Sequence, residues 1–543
     1  MASSSAHLQQ SLGEAEVFDL VCDYLRTRQF FEAEKALRTE RERVAADEVT
    51  ASKPSAFKKS NNANANATND SDSSLASRLE FLLERSYVTQ LVSGDGDEPE
   101  KIFVAKHELL EDANATKKPT RTNLDGNETL ALSDEEEGAA AADSDELSLS
   151  TRLVSFEACK DDPHGSSTMP IYQTSTFAQP SATNFGAYDY TRSGNPTRAA
   201  LERQLAELEF GHRAFAFTSG MAALSAVSRL AHAGDEIVLS DDSYGGTYRL
   251  LSKVAASHGV QITYCDLSGE NGAKNLASVI SNKTKLVMME SPTNPMQRVC
   301  DIAALATVAH SVGALLSIDN TMMSPVLQNP IPLGADIVVH SATKFICGHS
   351  DTMSGIVICK DPELCRDLYF YQNAEGTGLA PFDCWLLLRG VKTMSLRVLA
   401  AQQNAEQVAS FLADHPSVTH VYYSSQLPRD SPERRIHESQ ARGSGSVVCF
   451  RPGSLALAQH IVSMTKLFKI TVSFGSVNSL ISLPGAMSHA SIPEEVRKAR
   501  AFPEDLVRLS IGIEDAKDLI KDLSQAFQSF DPEAKPAGVG ESH

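Results

Sequence analysis

The chain has 543 residues, with 49 Lys and Arg against 69 Asp and Glu, a formal net charge of −20, and 42% hydrophobic residues, too long for one ordinary domain and too apolar for disorder throughout. The first 150 residues hold 16 basic and 30 acidic side chains, a balance of −14, so the other 393 carry only −6. Like charges repel, and electrostatic binding to nucleic acid or to an anionic membrane is therefore excluded as the expected function.

The N-terminus reads Met-Ala-Ser-Ser-Ser-Ala-His-Leu, and acids arrive by Glu14 and Glu16. A basic start followed by an apolar stretch is lacking, so neither a secretory signal nor an Arg-rich transit peptide is expected, and the expected location is cytoplasmic. Over residues 14–43, Val17, Leu20, Val21, Tyr24, Leu25, Phe30, Phe31, Ala33 and Leu37 recur at helical spacing. That spacing predicts two short amphipathic helices broken near residues 27–29, a helical module over residues 1–43. The string D-Y-L-R-T-R-Q-F-F-E-A-E-K-A-L resembles the LisH dimerisation motif, which implies self-association or partner binding through residues 14–43. A short helix pair docked on the main body explains the same pattern.

Residues 44–147 contain N-N-A-N-A-N-A-T-N-D and D-E-E-E-G-A-A-A-A-D, with one short helix expected around 75–91. Such composition cannot bury enough apolar area to offset the entropy of ordering, so an acidic disordered linker is expected. From about residue 148, short apolar runs rich in β-branched residues alternate with helical stretches. The runs at 213–217, 236–239, 260–265, 286–289, 315–318, 337–340 and 355–358 predict strands, and the alternation predicts an α/β domain with a largely parallel sheet. Nine cysteines without a C-x-x-C pair argue against a disulfide framework or a zinc site, and for a reducing compartment. No apolar run approaches the ~20 residues of a membrane helix.

Ligands of such sheets gather at the carboxyl ends of the strands. After Phe217 come Ser219, Gly220 and Met221, a small-residue helix start whose free N–H groups suit a phosphate. Asp319 follows Ile318, and His340, Ser341, Ala342, Thr343 and Lys344 follow Val339. Each has an ordinary reading as a cap, a turn or a surface residue. Together they match the needs of pyridoxal 5'-phosphate: an amine for its aldehyde (Lys344), donors for its phosphate (Ser219 to Met221, Ser341, Thr343) and a carboxylate for its ring nitrogen (Asp319). Tyr244, after the strand ending near Leu239, is placed to stack on the ring.

Between about 153 and 530 the motifs Y-D-Y-T-R-S-G-N-P-T, T-S-G-M-A-A-L, Y-G-G-T, E-S-P-T-N-P, D-N-T, H-S-A-T-K-F and G-H-S-D follow in order. This stretch resembles the Cys/Met-metabolism family of pyridoxal-phosphate enzymes. Within the family, A-P-F-D-C-W, V-S-F-G-S-V and M-S-H-A-S-I-P-E-E-V-R resemble the plant-type cystathionine β-lyase branch. The resemblance implies fold type I, aspartate aminotransferase-like: a mostly parallel seven-stranded sheet and a smaller α+β C-terminal domain. The expected divisions are an N-terminal arm at 148–205, a cofactor-binding domain at 206–400, a C-terminal domain at 401–532 and a disordered tail at 533–543.

It further implies a homodimer, pairing into tetramers, in which Tyr190 and Arg192 reach the phosphate of the neighbouring subunit. Gly220 and Met221 would give that phosphate backbone N–H groups, and Ser341 and Thr343 would add hydroxyls. Arg508 would pair with the α-carboxylate of an amino-acid thioether, because its planar fork meets a carboxylate bidentately. Asn294 and Ser479 would orient that carboxylate or the ring hydroxyl, with loop hydrogen bonding as the alternative. Tyr188, Arg249 and His349 would play supporting parts. Lys344 would take the Cα proton, and loss of the Cβ thiolate from cystathionine would give homocysteine, pyruvate and ammonia. Family members that react at Cγ, the γ-synthases and γ-lyases, carry Glu at the position of Val472; an apolar residue there favours β-elimination, with a γ-acting or broad cysteine-S-conjugate lyase as the alternative. An interaction protein with an inert enzyme body is disfavoured, since every cofactor contact, Lys344 included, is present.

Overall fold

The structure, a computed structural model, describes residues 147–156, 162, 164–490 and 492–532. The expected helical module at 1–43, the tail at 533–543 and, but for Leu147, the linker at 44–147 lie outside the described residues. Each of the seven expected strands forms, within two residues of its expected limits: β1 (Arg213–Phe217), β2 (Glu236–Ser240), β3 (Gln261–Cys265), β4 (Thr284–Glu290), β5 (Leu315–Asp319), β6 (Ile337–His340) and β7 (Gly355–Cys359). They build one sheet in the order β1-β7-β6-β5-β4-β2-β3. All pairings are parallel except those of β7, which runs antiparallel to both β1 and β6.

Side chains alternate across a strand, and here both faces are covered. Ile337 and Val339 of β6 join Phe215, Phe217, Val227, Ile237 and Leu239 in one cluster. Val338, between them, enters another with Ala214, Ala216, Leu201, Leu205 and Ile358. Burial on two sides is why these strands read as unbroken apolar runs. Helices packed on this sheet start on side-chain caps: Asn195 accepts from Thr197 N at 3.0 Å, Ser219 from Ala222 N at 3.1 Å and Asp301 from Ala304 N at 3.0 Å.

A second sheet of five short strands follows: β8 (His420–Tyr422), β9 (Val447–Arg451), β10 (Lys469–Ile470), β11 (Leu480–Ser482) and β12 (Val507–Ser510), in the order β10-β11-β12-β9-β8. Helices Met394–Ala413, Leu455–Met464 and Ala516–Gln528 cover it, burying Val408, Leu412, Ile461, Leu519, Leu523 and Phe527 against Val448, Phe450 and Leu509. Each such side chain contributes about 1.5–3 kcal/mol on burial, against about 0–1 kcal/mol for a surface ion pair such as Arg366 with Glu363. Apolar packing therefore fixes where the strands end.

Among the described residues one disulfide, Cys359–Cys365, departs from the expectation drawn from the cysteines. The end of β7 turns directly into helix Pro362–Glu375, which brings the two together; the other described cysteines, Cys265, Cys300, Cys347, Cys384 and Cys449, are free and buried. Among the described residues no helix is long and apolar enough to cross a membrane.

Candidate active site

Between β6 and β7 the chain turns back over residues 341–354, and this turn carries Lys344. Arg397 clamps it, donating to Phe345 O at 2.8 Å, Gly390 O at 2.7 Å and Ile346 O at 3.3 Å. Lys344 Nζ donates to Ser473 Oγ at 2.6 Å and lies 5.2 Å from the centre of the Phe474 ring. Desolvation and then the nearby Arg508 guanidinium push the amine down to about 8, against the opposing pull of Asp319. The segment carrying Ser473 comes this close because Gly475 takes a left-handed φ of 79°, where an added Cβ would sit 2.9 Å from Lys344 Cβ.

Asp319 and Glu290 end neighbouring strands and pair in register across β5 and β4. Asp319 accepts from Thr321 N at 3.0 Å. Desolvation raises its carboxyl, while the Thr321 hydrogen bonds and the charges of His340 and Lys344 pull the other way. His340 is held from below: its Nε2 and Glu209 Oε1 lie 2.7 Å apart, both side chains being buried, and Asn320 and Asn329 each donate to the same carboxylate at 2.9 Å. Tyr244 starts the short helix Gly245–Arg249, and His489 meets its ring edge-on at 6.4 Å. Burial, then Arg508, lowers His489 to about 4, so its imidazole is neutral.

The expected phosphate donors converge. Helix Gly220–Ser228 begins against the turn after β6, so close that a Cβ at Gly220 would lie 3.0 Å from Ser341 Cβ. Ser341 N donates to Thr321 Oγ1 at 2.7 Å, and Thr343 Oγ1 donates to Ser354 O at 3.2 Å while accepting from Ser354 N at 2.9 Å. Ser354 Oγ is buried without a partner beside them. Met221 follows Gly220 in the same first turn.

The residue expected to pair with a carboxylate, Arg508, lies on β12 and is 2% exposed. Its Nη1 donates to Asn294 Oδ1 at 3.0 Å and its Nη2 to Val472 O at 3.2 Å and Ser473 O at 3.3 Å. Its guanidinium lies 5.3 Å from the centre of the same Phe474 ring as Lys344.

Three expected residues stand apart. Ser479 is fully buried, and its Oγ donates to Glu514 Oε2 at 2.8 Å and accepts from Gly512 N at 2.9 Å, the loop hydrogen bonding given above as the alternative. The serine that touches Lys344 is Ser473. Tyr190 is 42% exposed, and exposed Arg192 lies over its ring at 5.1 Å while donating to Asn373 Oδ1 at 3.1 Å. Ser473, Glu290 and His489 were not singled out from sequence, although each stands inside a quoted motif. Glu290 closes an apolar run just as Asp319 follows one, so the strand-end rule reaches it too.

A half-buried amine, a carboxylate whose charge it feels and a helix start too tight for a Cβ at Gly220 fit an aldehyde cofactor with a phosphate tail. Together with the sheet, they define the class as pyridoxal-phosphate enzymes of fold type I. The chain belongs to the Cys/Met metabolism family of PLP-dependent enzymes, which it matches over residues 150–528. It is 56% identical over 386 residues to the Arabidopsis thaliana protein named cystathionine beta-lyase, chloroplastic, covering 71% of this chain and 82% of that one. Bacillus subtilis cystathionine gamma-lyase is 44% identical over 370 residues, covering 68% and 96%. Among solved structures, the Lactobacillus plantarum cystathionine gamma-lyase complexed with L-serine matches with a TM-score of 0.68 at 39% identity, covering 70% of this chain and 99% of that one.

The depressed amine has a direct consequence. A lysine attacks an aldehyde only when neutral, so the rate at which the cofactor-free protein recombines with pyridoxal phosphate should rise with pH and level off above about pH 8. An ordinary lysine would go on rising towards about 10.4. Stopped-flow absorbance across pH 6–10 makes the comparison, and a midpoint near 10 would mean that Lys344 is not desolvated as the structure has it.

Proposed function

We propose that this chain is a carbon–sulfur lyase that cleaves L-cystathionine by β-elimination, consuming one water and releasing homocysteine, pyruvate and ammonia. The observation that carries the choice of β- over γ-chemistry is Val472. Its carbonyl accepts from Arg508 and its side chain is 58% exposed, one residue before the serine that Lys344 touches, so an apolar group stands at the position where a Glu would supply a carboxylate. The relatives named above act in the same thioether chemistry, under both β and γ names.

Bound pyridoxal phosphate supplies an acceptor for the electron pair left when the Cα–H bond breaks. Lys344 would hold it through the amine, Asp319 would hold a proton at its ring nitrogen and Tyr244 would lie against its ring. Gly220 and Met221 N–H groups with Ser341 and Thr343 would hold its phosphate. Arg508, steadied by Asn294, grips the substrate α-carboxylate and so sets the Cα proton against Lys344 Nζ. A neutral amine is needed there as base, and a pKa of about 8 makes one available near neutrality, where a lysine at ~10.4 would be almost wholly protonated.

Tyr190 and Arg192 are exposed, with Arg192 over the Tyr190 ring and bonded to Asn373, and side chains presented at the surface in this way support a role in a neighbouring subunit's phosphate site, and with it a homo-oligomer. Self-association through residues 14–43, tetramer formation and a cytosolic location rest on sequence alone. Products decide the reaction. Pyruvate and homocysteine from L-cystathionine are expected; 2-oxobutyrate and cysteine would instead place the chain among the γ-lyases.

A further inference from the structure

Glu290 is 6% exposed and ends β4 beside Asp319. Its two oxygens serve two different arms of the site. Oε1 accepts Tyr244 N–H at 2.7 Å, and Oε2 accepts Asn294 N–H at 3.1 Å. Tyr244 has no side-chain cap of its own for the helix it starts, so this bond is what fixes its backbone from the sheet side. Asn294 in turn accepts from Arg508 through Oδ1 and is bonded at its carbonyl by His489 Nε2, at 3.2 Å.

We propose that Glu290 is a positioning residue that locks the ring-facing Tyr244 and the carboxylate-binding Asn294–Arg508 pair to one strand end, so that cofactor ring and substrate carboxylate are held in a single register. The inference rests on the pyridoxal-phosphate reading of the site. A carboxyl group suits the task because both of its oxygens accept hydrogen bonds. An amide accepts through one oxygen only and turns its own N–H groups against the second backbone donor. Alanine leaves both N–H groups without their acceptor at a largely buried place, where an unmade bond is costly.

The neighbouring acid sharpens the demand. Burial first, and then the Asp319 carboxylate, raise Glu290 well above the usual carboxylate range, whereas Thr321, His340 and Lys344 favour charge on Asp319. The Tyr244 and Asn294 N–H groups pull the Glu290 carboxyl the other way, so the two hydrogen bonds that position the site also offset part of the cost of burying the acid.

Glycine has an α-carboxylate but no Cβ group to expel, so spectral titration of the holoenzyme with it reads the carboxylate arm without turnover. Glu290→Ala should weaken glycine binding about tenfold and reduce the visible circular dichroism of the bound cofactor, while Glu290→Gln, keeping one acceptor, should weaken it about threefold. If both variants bind glycine within twofold of the parent and keep its dichroism, the proposal fails, even where their melting temperatures drop, because a purely structural role would move only the latter. Should Glu290→Ala not fold, Glu290→Gln decides by the same threefold-or-unchanged criterion. Failure of the lyase reading is separate: it appears as no pyruvate from cystathionine with the unsubstituted chain, and leaves the glycine titration intact.

Discussion

Lys344→Ala chains are expected to turn over cystathionine at least about 10⁴-fold more slowly than the parent and to lose the visible absorbance of a covalently held cofactor. The size follows from two duties on one atom. In the proposed chemistry Nζ is both the amine for the cofactor's aldehyde and the base at Cα, and the guanidinium of Arg508, whose charge acts on it, is bonded to Asn294, Val472 and Ser473 and stays protonated. Lys344→Arg should be equally inactive, since it keeps the charge and loses the neutral lone pair. Purification followed by absorbance and pyruvate release measures both losses, and residual turnover within about tenfold of the parent would remove Lys344 from the chemistry. The same inactive chain tests the proposed sharing of sites. Co-assembled with Arg192→Ala chains, it should regain about a quarter of parent activity, because half the random dimers are hybrids with one intact site each. No rescue would place Arg192 in the service of its own chain.

Why some of this was readable in the sequence and some not has a physical cause in each case. The seven strands of the main sheet are buried on both faces, so each is an apolar run with a visible end, and the residue at or just after that end is at a ligand-facing place by topology alone. Asp319 and Lys344 were legible for that reason. The second sheet has strands of only two to five residues, such as Lys469–Ile470 and Leu480–Ser482, too short to carry a period, and none was expected individually. Ser473 and Ser479 stand six residues apart in one loop with similar surroundings in sequence. Only the path of that loop over Gly475 sends the first to Lys344 and the second to Glu514. Glu290 works through backbone N–H groups of Tyr244 and Asn294, and a bond from a backbone donor leaves no residue-type signature at its other end.

Arg508 is the residue at which geometry and charge can be separated, and two substitutions should do so. Arg508→Lys keeps a positive charge but cannot reach Asn294 Oδ1, Val472 O and Ser473 O in one plane, and it offers no fork to a carboxylate. Losing charge-assisted bonds worth about 1.5–3 kcal/mol should raise KM for cystathionine about 10- to 150-fold, with a smaller change in kcat. Arg508→Gln loses the fork and the charge together. Its KM should rise at least as far, and a second effect should appear only here. The Arg508 charge helps hold Lys344 down near 8, because a protonated amine beside a guanidinium is disfavoured. Without that charge the amine holds its proton more tightly, so the pH above which the cofactor-free protein recombines fastest with pyridoxal phosphate should move upward in Arg508→Gln and stay in place in Arg508→Lys. A KM effect in both variants with no shift in either would mean that burial alone depresses Lys344; a shift in both would mean that lysine at 508 does not place its charge where the guanidinium does.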